Sequence, residues 1–256
     1  MNRSFSDWGG NIAAFVLVIV FNWLANALPF NDQSQTDIAA KYPSLFTPAG
    51  FTFSIWGLIY LALLAFTVYQ ALPSQRQNTS IKRLSVPFKI SCVSNALWLV
   101  AWHYDQLELA LLIMLVLLGS LVIIYRSLLA RVSQSTLLQR VVLHLPFSLY
   151  TSWISVATIA NISIIQTSYG WDNAVLTAVN WTLLKLAVAG AVGASVVLKT
   201  RDAAFVLVTA WAAYGISVKQ VATPAIAGAA TMLAMLALLL AVREAVARLR
   251  ATSVRS

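Results

Sequence analysis

Eight long apolar runs decide what this chain can fold into. They lie at approximately residues 11–29, 51–72, 88–104, 107–126, 144–166, 174–198, 203–219 and 224–243, and their few charges sit near their ends, Lys185 excepted. A helix rises about 1.5 Å per residue, so roughly 20 apolar residues cross about 30 Å of hydrocarbon. The third and seventh runs are the shortest. Hydrocarbon offers no partner for a backbone amide or carbonyl, so a span must satisfy those groups internally. Continuous rather than alternating apolar residues then select helices over a barrel. The expectation is an all-α, polytopic membrane bundle of about eight transmembrane helices.

Composition agrees with that reading. Apolar residues make up 60% of the chain and charged residues only 10%, against about 25% charged in an ordinary soluble domain, which excludes a soluble globular enzyme. The net charge of +9 would suggest nucleic acid on a soluble protein. Here the position of the charges matters more than their sum, and the partner it implies is the lipid bilayer. Taking alternate loops, one side collects fourteen basic residues: Arg3; Arg76, Lys82, Arg83 and Lys89; Arg126, Arg131 and Arg140; Lys199 and Arg201; Arg243, Arg248, Arg250 and Arg255. The other side has Lys41 and Lys219, together with Asp32, Asp37, Asp105, Glu108 and Asp172. Cytoplasmic loops retain the positive excess, so both termini are expected on the cytoplasmic side of a cell membrane.

Between the first and second runs lies a 16-residue outer loop, NDQSQTDIAAKYPSLF, residues 31–46. Loops of that length are often functional. The second helix is expected to begin around Pro48, and SQRQNTSIKR, residues 74–83, reads as a solvated basic loop. The turn from His103 to Gln106 is short, making the third and fourth helices antiparallel neighbours. After Gln166 the composition shifts from Trp and Asn toward Ala, Val, Gly and Leu, which sets a boundary near residue 169: a five-helix domain over 1–168 and a three-helix extension with a basic tail over 169–256. Small residues such as Gly190, Gly193, Gly228 and Ala230 permit close helix approach. The hydropathy of the two halves does not match run by run, which weakens an inverted-repeat transporter.

Residues three or four apart share one face of a helix. The second helix then offers Phe53, Trp56 and Tyr60, the third Ser91, Asn95, Trp98 and Trp102, and the fifth Tyr150, Trp153, Ala157 and Asn161. An asparagine facing lipid would leave its amide unpaired, so Asn95 and Asn161 should point into the protein, and the tryptophans on their faces with them. An interfacial aromatic belt is the competing reading and suits Trp8, Trp171 and Trp102. An inward aromatic surface with a few amides would instead suit a flat, apolar, conjugated ligand that stacks on indoles.

Lys185 lies within the sixth helix, where an ammonium costs a few kcal/mol or more unless paired or wetted. It is either hydrogen-bonded to Asn180, to Ser and Thr hydroxyls or to helix carbonyls, or it serves as a coupling residue or anion contact. A retinal Schiff base would need a carboxylate counter-ion, and no Asp or Glu lies well inside any span. His103 and His144 are expected about a bilayer apart, so they cannot share one haem iron. The single cysteine, Cys92, forms no intramolecular disulfide and no metal cluster, so no metal site is expected. Paired carboxylates, a Ser-His-Asp set and a glycine-rich phosphate loop are likewise missing from the spans, which leaves little room for ordinary hydrolytic or phosphoryl chemistry. LVIIYRSLLAR, residues 121–131, fits the loose cholesterol pattern, which is weak and common.

Three motifs carry a resemblance. FTPAGFTFSIWGLIY, residues 46–60, resembles the second-helix entry of the TspO/MBR tryptophan-rich sensory proteins, the translocator-protein family. SNALW, residues 94–98, is similar to that family's third-helix Asn-x-Leu-Trp, and LPFSLYTSWISVATIAN, residues 145–161, to its fifth helix. The likeness covers roughly residues 10–168, and the spans beyond it match longer bacterial members with three added helices. It implies a five-helix bundle whose outer-half pocket, closed by the first loop, binds porphyrins and other hydrophobic ligands. By motif position that pocket would be lined by Phe51, Trp56, Tyr60, Asn95, Trp98, Trp153 and Asn161. Two departures stand out: Thr47-Pro48-Ala49-Gly50 replaces the usual doubled proline and aromatic, and Tyr169 is followed by Gly170, Trp171 and Asp172 rather than the sterol-recognition pattern of animal members. A homo-oligomer is a family feature, although the added helices could cover the surface through which shorter members pair.

The expected function is a sensor or carrier in a bacterial inner membrane that binds a porphyrin-like or haem-like ligand, requires no cofactor and performs no ordinary catalysis. A light-dependent porphyrin-degrading enzyme and a secondary transporter using Lys185 are the alternatives.

Overall fold

The computed structural model describes residues 3–28, 30–33 and 35–253. Ten α-helices run along it: α1 (Phe5–Ala27), α2 (Gln35–Lys41), α3 (Ile55–Ala71), α4 (Thr79–His103), α5 (Leu107–Leu129), α6 (Leu137–Gln139), α7 (Leu145–Ser168), α8 (Ala178–Thr200), α9 (Ala203–Lys219) and α10 (Pro224–Ser253). No strand occurs among the described residues. Among the described residues, seven helical stretches are long and apolar enough to cross a membrane, and a further apolar helix, Ala203–Lys219, is shorter. The protein is thus an all-α, multi-pass membrane protein.

Helix ends follow capping chemistry rather than hydropathy, which moves several boundaries. The expected solvated loop at 74–83 is helical from Thr79 onward, because the Asn78 side chain accepts from the backbone amides of Ser80 and Ile81 at 3.1 and 3.2 Å. Ile81 and Leu84 on this polar-looking turn are buried, which fixes it against its neighbours. Pro87, two turns in, lacks an N–H and leaves the Arg83 carbonyl without its helical donor. The second span does not become α-helical at Pro48; a 3-10 turn over Gly50–Ser54 precedes α3. Before α7, residues Arg140–His144 form a π-helical turn. Pro146 explains it: its ring crowds the carbonyl of Val142, and widening the preceding turn relieves that contact. At the other end, α10 carries Arg243 and Arg250 inside the helix instead of in a loose basic tail, while Arg255 lies outside the described residues.

The contacts divide the chain into two compact units, Met1–Lys41 with Ile55–Ile154, and Tyr42–Ser54 with Ser155–Ser256. In the first unit α4 packs along α5 and α1, and α1 also meets α3. Its apolar centre is a trio of rings, with Phe66 edge-on to Phe88 and to Phe147 at 4.9 Å each. Gln70 anchors a buried polar group beside it, accepting from Arg3 and from Asn11 and donating to the Trp8 carbonyl. The tip of the first unit is pinned as well. Lys41 and Gln33 both donate to Asp105 Oδ2, at 2.8 and 3.2 Å, and the Asn31 amide donates to the His103 carbonyl at 3.2 Å. Asp105 sits in the left-handed region at φ 53°, which lets α4 turn into α5 within three residues.

In the second unit α9 packs against α10, and α8 against both. Close approach is set by missing side chains: a Cβ on Gly193 would lie 2.9 Å from Thr209 Oγ1, and one on Gly190 2.8 Å from Leu233 Cδ1. Arg201 in the left-handed region and the Asp202 side chain, which accepts from the Phe205 amide, turn α8 sharply into α9. The segment Tyr42–Ser54 lies against α9: the Ala49 amide donates to the Gly215 carbonyl at 3.0 Å, and Trp211 Nε1 to the Thr52 carbonyl at 2.9 Å.

Candidate functional site

Four aromatic side chains of the first unit form one cluster, and two of them reach one amide. On α3, Trp56 and Tyr60 are one turn apart and stack, with centroids 5.4 Å apart and planes 18° from parallel. From α7, Tyr150 and Trp153 present their rings edge-on to Trp56 at 5.9 and 6.2 Å. These are the offset and T-shaped arrangements that aromatic quadrupoles favour. Asn95 on α4 supplies the polar centre and is 1% exposed. Its Nδ2 donates to the Tyr150 hydroxyl at 2.9 Å, while its Oδ1 accepts from Asn22 Nδ2 at 3.0 Å and, more weakly, from the Tyr60 hydroxyl at 3.5 Å. The amide is oriented by partners from α1, α3 and α7 together, so it cannot turn without breaking several bonds at once.

The remaining expected site residues are placed as follows. Trp98, one turn along α4 from Asn95, is buried and stacks on Trp102 at 5.6 Å and 21°. Trp102 is itself buried, so it does not belong to an interfacial belt. Phe51 and Asn161 belong to the second unit. Phe51 packs edge-on to Trp211 at 5.4 Å and near Tyr214 at 5.8 Å, and is 43% exposed. Asn161 is 5% exposed and donates from Nδ2 to the Ala157 carbonyl of its own helix at 2.9 Å. Lys185 is half-buried and donates to Ser163 Oγ at 2.7 Å and Gln166 Oε1 at 2.6 Å, so hydroxyl and amide groups, not the Asn180 side chain, hold it.

Two residues of the cluster were not among the seven expected lining residues. Tyr150 shares the fifth-helix face already read from its spacing with Trp153, but motif position did not place it among the seven lining residues. Asn22 carried the same signal as Asn95, an amide within an apolar run, and the rule that such a group must find a partner applies to it equally.

His103 is fully buried. Its Nδ1 donates to the Leu99 carbonyl at 2.7 Å, since a carbonyl only accepts, and its ring lies edge-on to Phe30 at 5.7 Å. His144 instead pairs with Ser135 at 3.0 Å. Among the described residues no group of three or more His, Cys, Asp or Glu is placed to hold a metal ion. Outside the spans, burial pushes the Asp105 carboxyl up, but hydrogen bonds from Lys41 and Gln33 and the Lys41 charge outweigh it and hold Asp105 below its ordinary range.

No curated protein and no solved structure matches the chain. A family model described as TSPO-like protein matches residues 8–243, running from α1 through α8 and α9 and into α10. The chain therefore belongs to the TSPO-like protein family.

Proposed function

We propose that this protein binds a flat, conjugated, hydrophobic ligand of the tetrapyrrole type at the Trp56–Tyr60–Tyr150–Trp153 cluster, as a membrane sensor or carrier. The observation that carries the reading is the grouping of aromatic rings from α3 and α7 beside the oriented Asn95 amide of α4. Indole and phenol faces offer stacking to any extended π-system, and one fixed amide offers orientation without chemistry of its own. Sites of this composition bind by burial and shape. The inward rings would exchange some contacts with one another for contacts with the ligand.

The test is a dark titration of purified protein with protoporphyrin IX, followed by tryptophan quenching, beside a variant carrying Trp56→Phe and Trp153→Phe. Saturable quenching is expected, with affinity about tenfold weaker in the variant, corresponding to about 1.4 kcal/mol. Non-saturable quenching, or equal affinity in both proteins, would overturn the reading.

A further inference from the structure

The second unit holds a cavity of about 670 Å³ between α7 and α8, a volume within the usual range for small-molecule sites. Its length is apolar: Ile159, Ile162 and Ile165 line it from α7, and Leu184 and Val188 from α8. Its polar groups gather at one end. Gln166 and Lys185 line it there with Trp181 and Trp171, and Trp181 lies one turn before Lys185 on the same face of α8.

The polar end has donors to spare. An ammonium has three N–H donors, and Lys185 commits two of them, to Ser163 and Gln166. Both acceptors are neutral, and no carboxylate pairs with Lys185 among the described residues; Asp172 acts on it only through space. The Trp181 indole Nε1 is buried without an acceptor. Lys185, with its positive charge, and Trp181, with a buried N–H that has no acceptor, therefore line one cavity, and no carboxylate lines it with them. A lone charge in apolar surroundings is costly, and so is an unpaired buried donor.

Geometry says how an anion would arrive. Gln166 lies two residues from the end of α7 at Ser168, about 3 Å of helix rise, so the Lys185 ammonium reaches the helix end although its Cα lies within the span. Beyond it, exposed Trp171 stacks on Tyr169 at 5.0 Å, the residue types that favour the headgroup boundary. The cavity's apolar lining is partly open: Ile162, Leu184 and Val188 are exposed along the spans, so its side faces hydrocarbon. A water-borne anion would have no use for that apolar length.

We propose that this cavity is a binding site for an anionic phospholipid of the surrounding bilayer, its phosphate accepting hydrogen bonds from Lys185 Nζ and Trp181 Nε1 and one acyl chain lying along the isoleucine-lined groove. The site is separate from the aromatic cluster around Asn95 and stands or falls without it.

The experiment uses the full chain purified in detergent and offered equal amounts of phosphatidylglycerol and phosphatidylcholine with the same acyl chains, with retained lipid counted by native mass spectrometry. Wild-type protein should retain phosphatidylglycerol at least about fivefold over phosphatidylcholine, the scale of one basic residue near an anionic headgroup. Lys185→Met should abolish that preference and Lys185→Arg should keep it. Millimolar inorganic phosphate and equimolar oleate form two competition arms, and neither should displace the lipid. Equal retention of the two lipids by wild-type protein, an unchanged preference in Lys185→Met, or displacement by either competitor would overturn the proposal. The wild-type comparison decides even if the methionine variant fails to fold.

Discussion

At the residue scale, the three ionisable or amide groups singled out within spans were resolved by different physics. Asn95 is held by neighbours from three helices, Asn161 by a carbonyl four residues back, and Lys185 by Ser163 and Gln166. The rule that a polar group in hydrocarbon must be paired identified all three, yet it cannot say with what. That choice depends on which helices lie alongside. A prediction follows for Asn95→Ala: it removes the partner that joins Asn22 to Tyr150 and strands the buried Tyr150 hydroxyl, at a cost of about 1–3 kcal/mol. Thermal unfolding in detergent should show a lower midpoint than for the wild type. Asn161→Ala, which removes a bond to the Ala157 carbonyl of its own helix rather than a link between helices, should move the midpoint less.

At the element scale, the connections carry information that hydropathy misses. The segment Tyr42–Ser54 approaches α9 so closely that a Cβ on Gly215 would stand 2.0 Å from Thr52 Oγ1. Gly215→Ala is expected to overpack this contact and destabilise the protein by about 1–3 kcal/mol. Combining it with Thr52→Gly should recover part of the loss, because the atoms that clash are then gone; additive losses in that double-mutant cycle would refute a direct clash. The contacts of Asp105 offer a pH readout. Asp105 titrates below its ordinary range in the folded protein, so its contribution is present above the unfolded carboxylate pKa of about 3.9 and is lost as pH falls through the lower folded value. With Lys41 and Asp105 side chains 44% and 26% exposed, the pair is worth less than about 1 kcal/mol after solvent screening. Hydrogen exchange over α2 should therefore quicken modestly as pH falls from 5 toward 3, after correction for intrinsic rates. In Asp105→Asn that additional pH dependence should disappear.

At the scale of the whole molecule, two partitions of the chain coexist. Composition changes near residue 169, whereas contacts divide the chain within α7, at Ile154, and assign Tyr42–Ser54 to the later unit. Composition reports which residues each helix uses; contacts report which helices meet. The family match runs across both partitions, over residues 8–243. The distribution of basic residues makes a separate, global prediction about orientation. In a Cys92→Ala background, single cysteines at Ser74 and Ser135 should be protected from a membrane-impermeant thiol reagent in intact cells, and one at Asp172 should be labelled. The reverse pattern would invert the orientation inferred from the fourteen basic residues on one side.

The apolar runs were enough to determine an all-helical, multi-pass protein, because hydrocarbon leaves the backbone almost no other way to satisfy its hydrogen bonds. They also determined the face of α4 that turns inward, since Ser91, Asn95, Trp98 and Trp102 are all buried as their spacing requires. Small residues at 190 and 193 foretold close helix approach for the same reason: contact distance follows from side-chain size. Helix starts were less legible, as at Thr79, because a cap is a local hydrogen bond that a hydropathy average does not register. Only the tertiary structure decided that Tyr150 and Asn22 join Trp56, Trp153 and Asn95, that Phe51 packs on Trp211, and that Lys185 and Trp181 line one cavity. Those pairings join residues distant in sequence, and periodicity fixes where a side chain points around its own helix but not which neighbour it meets.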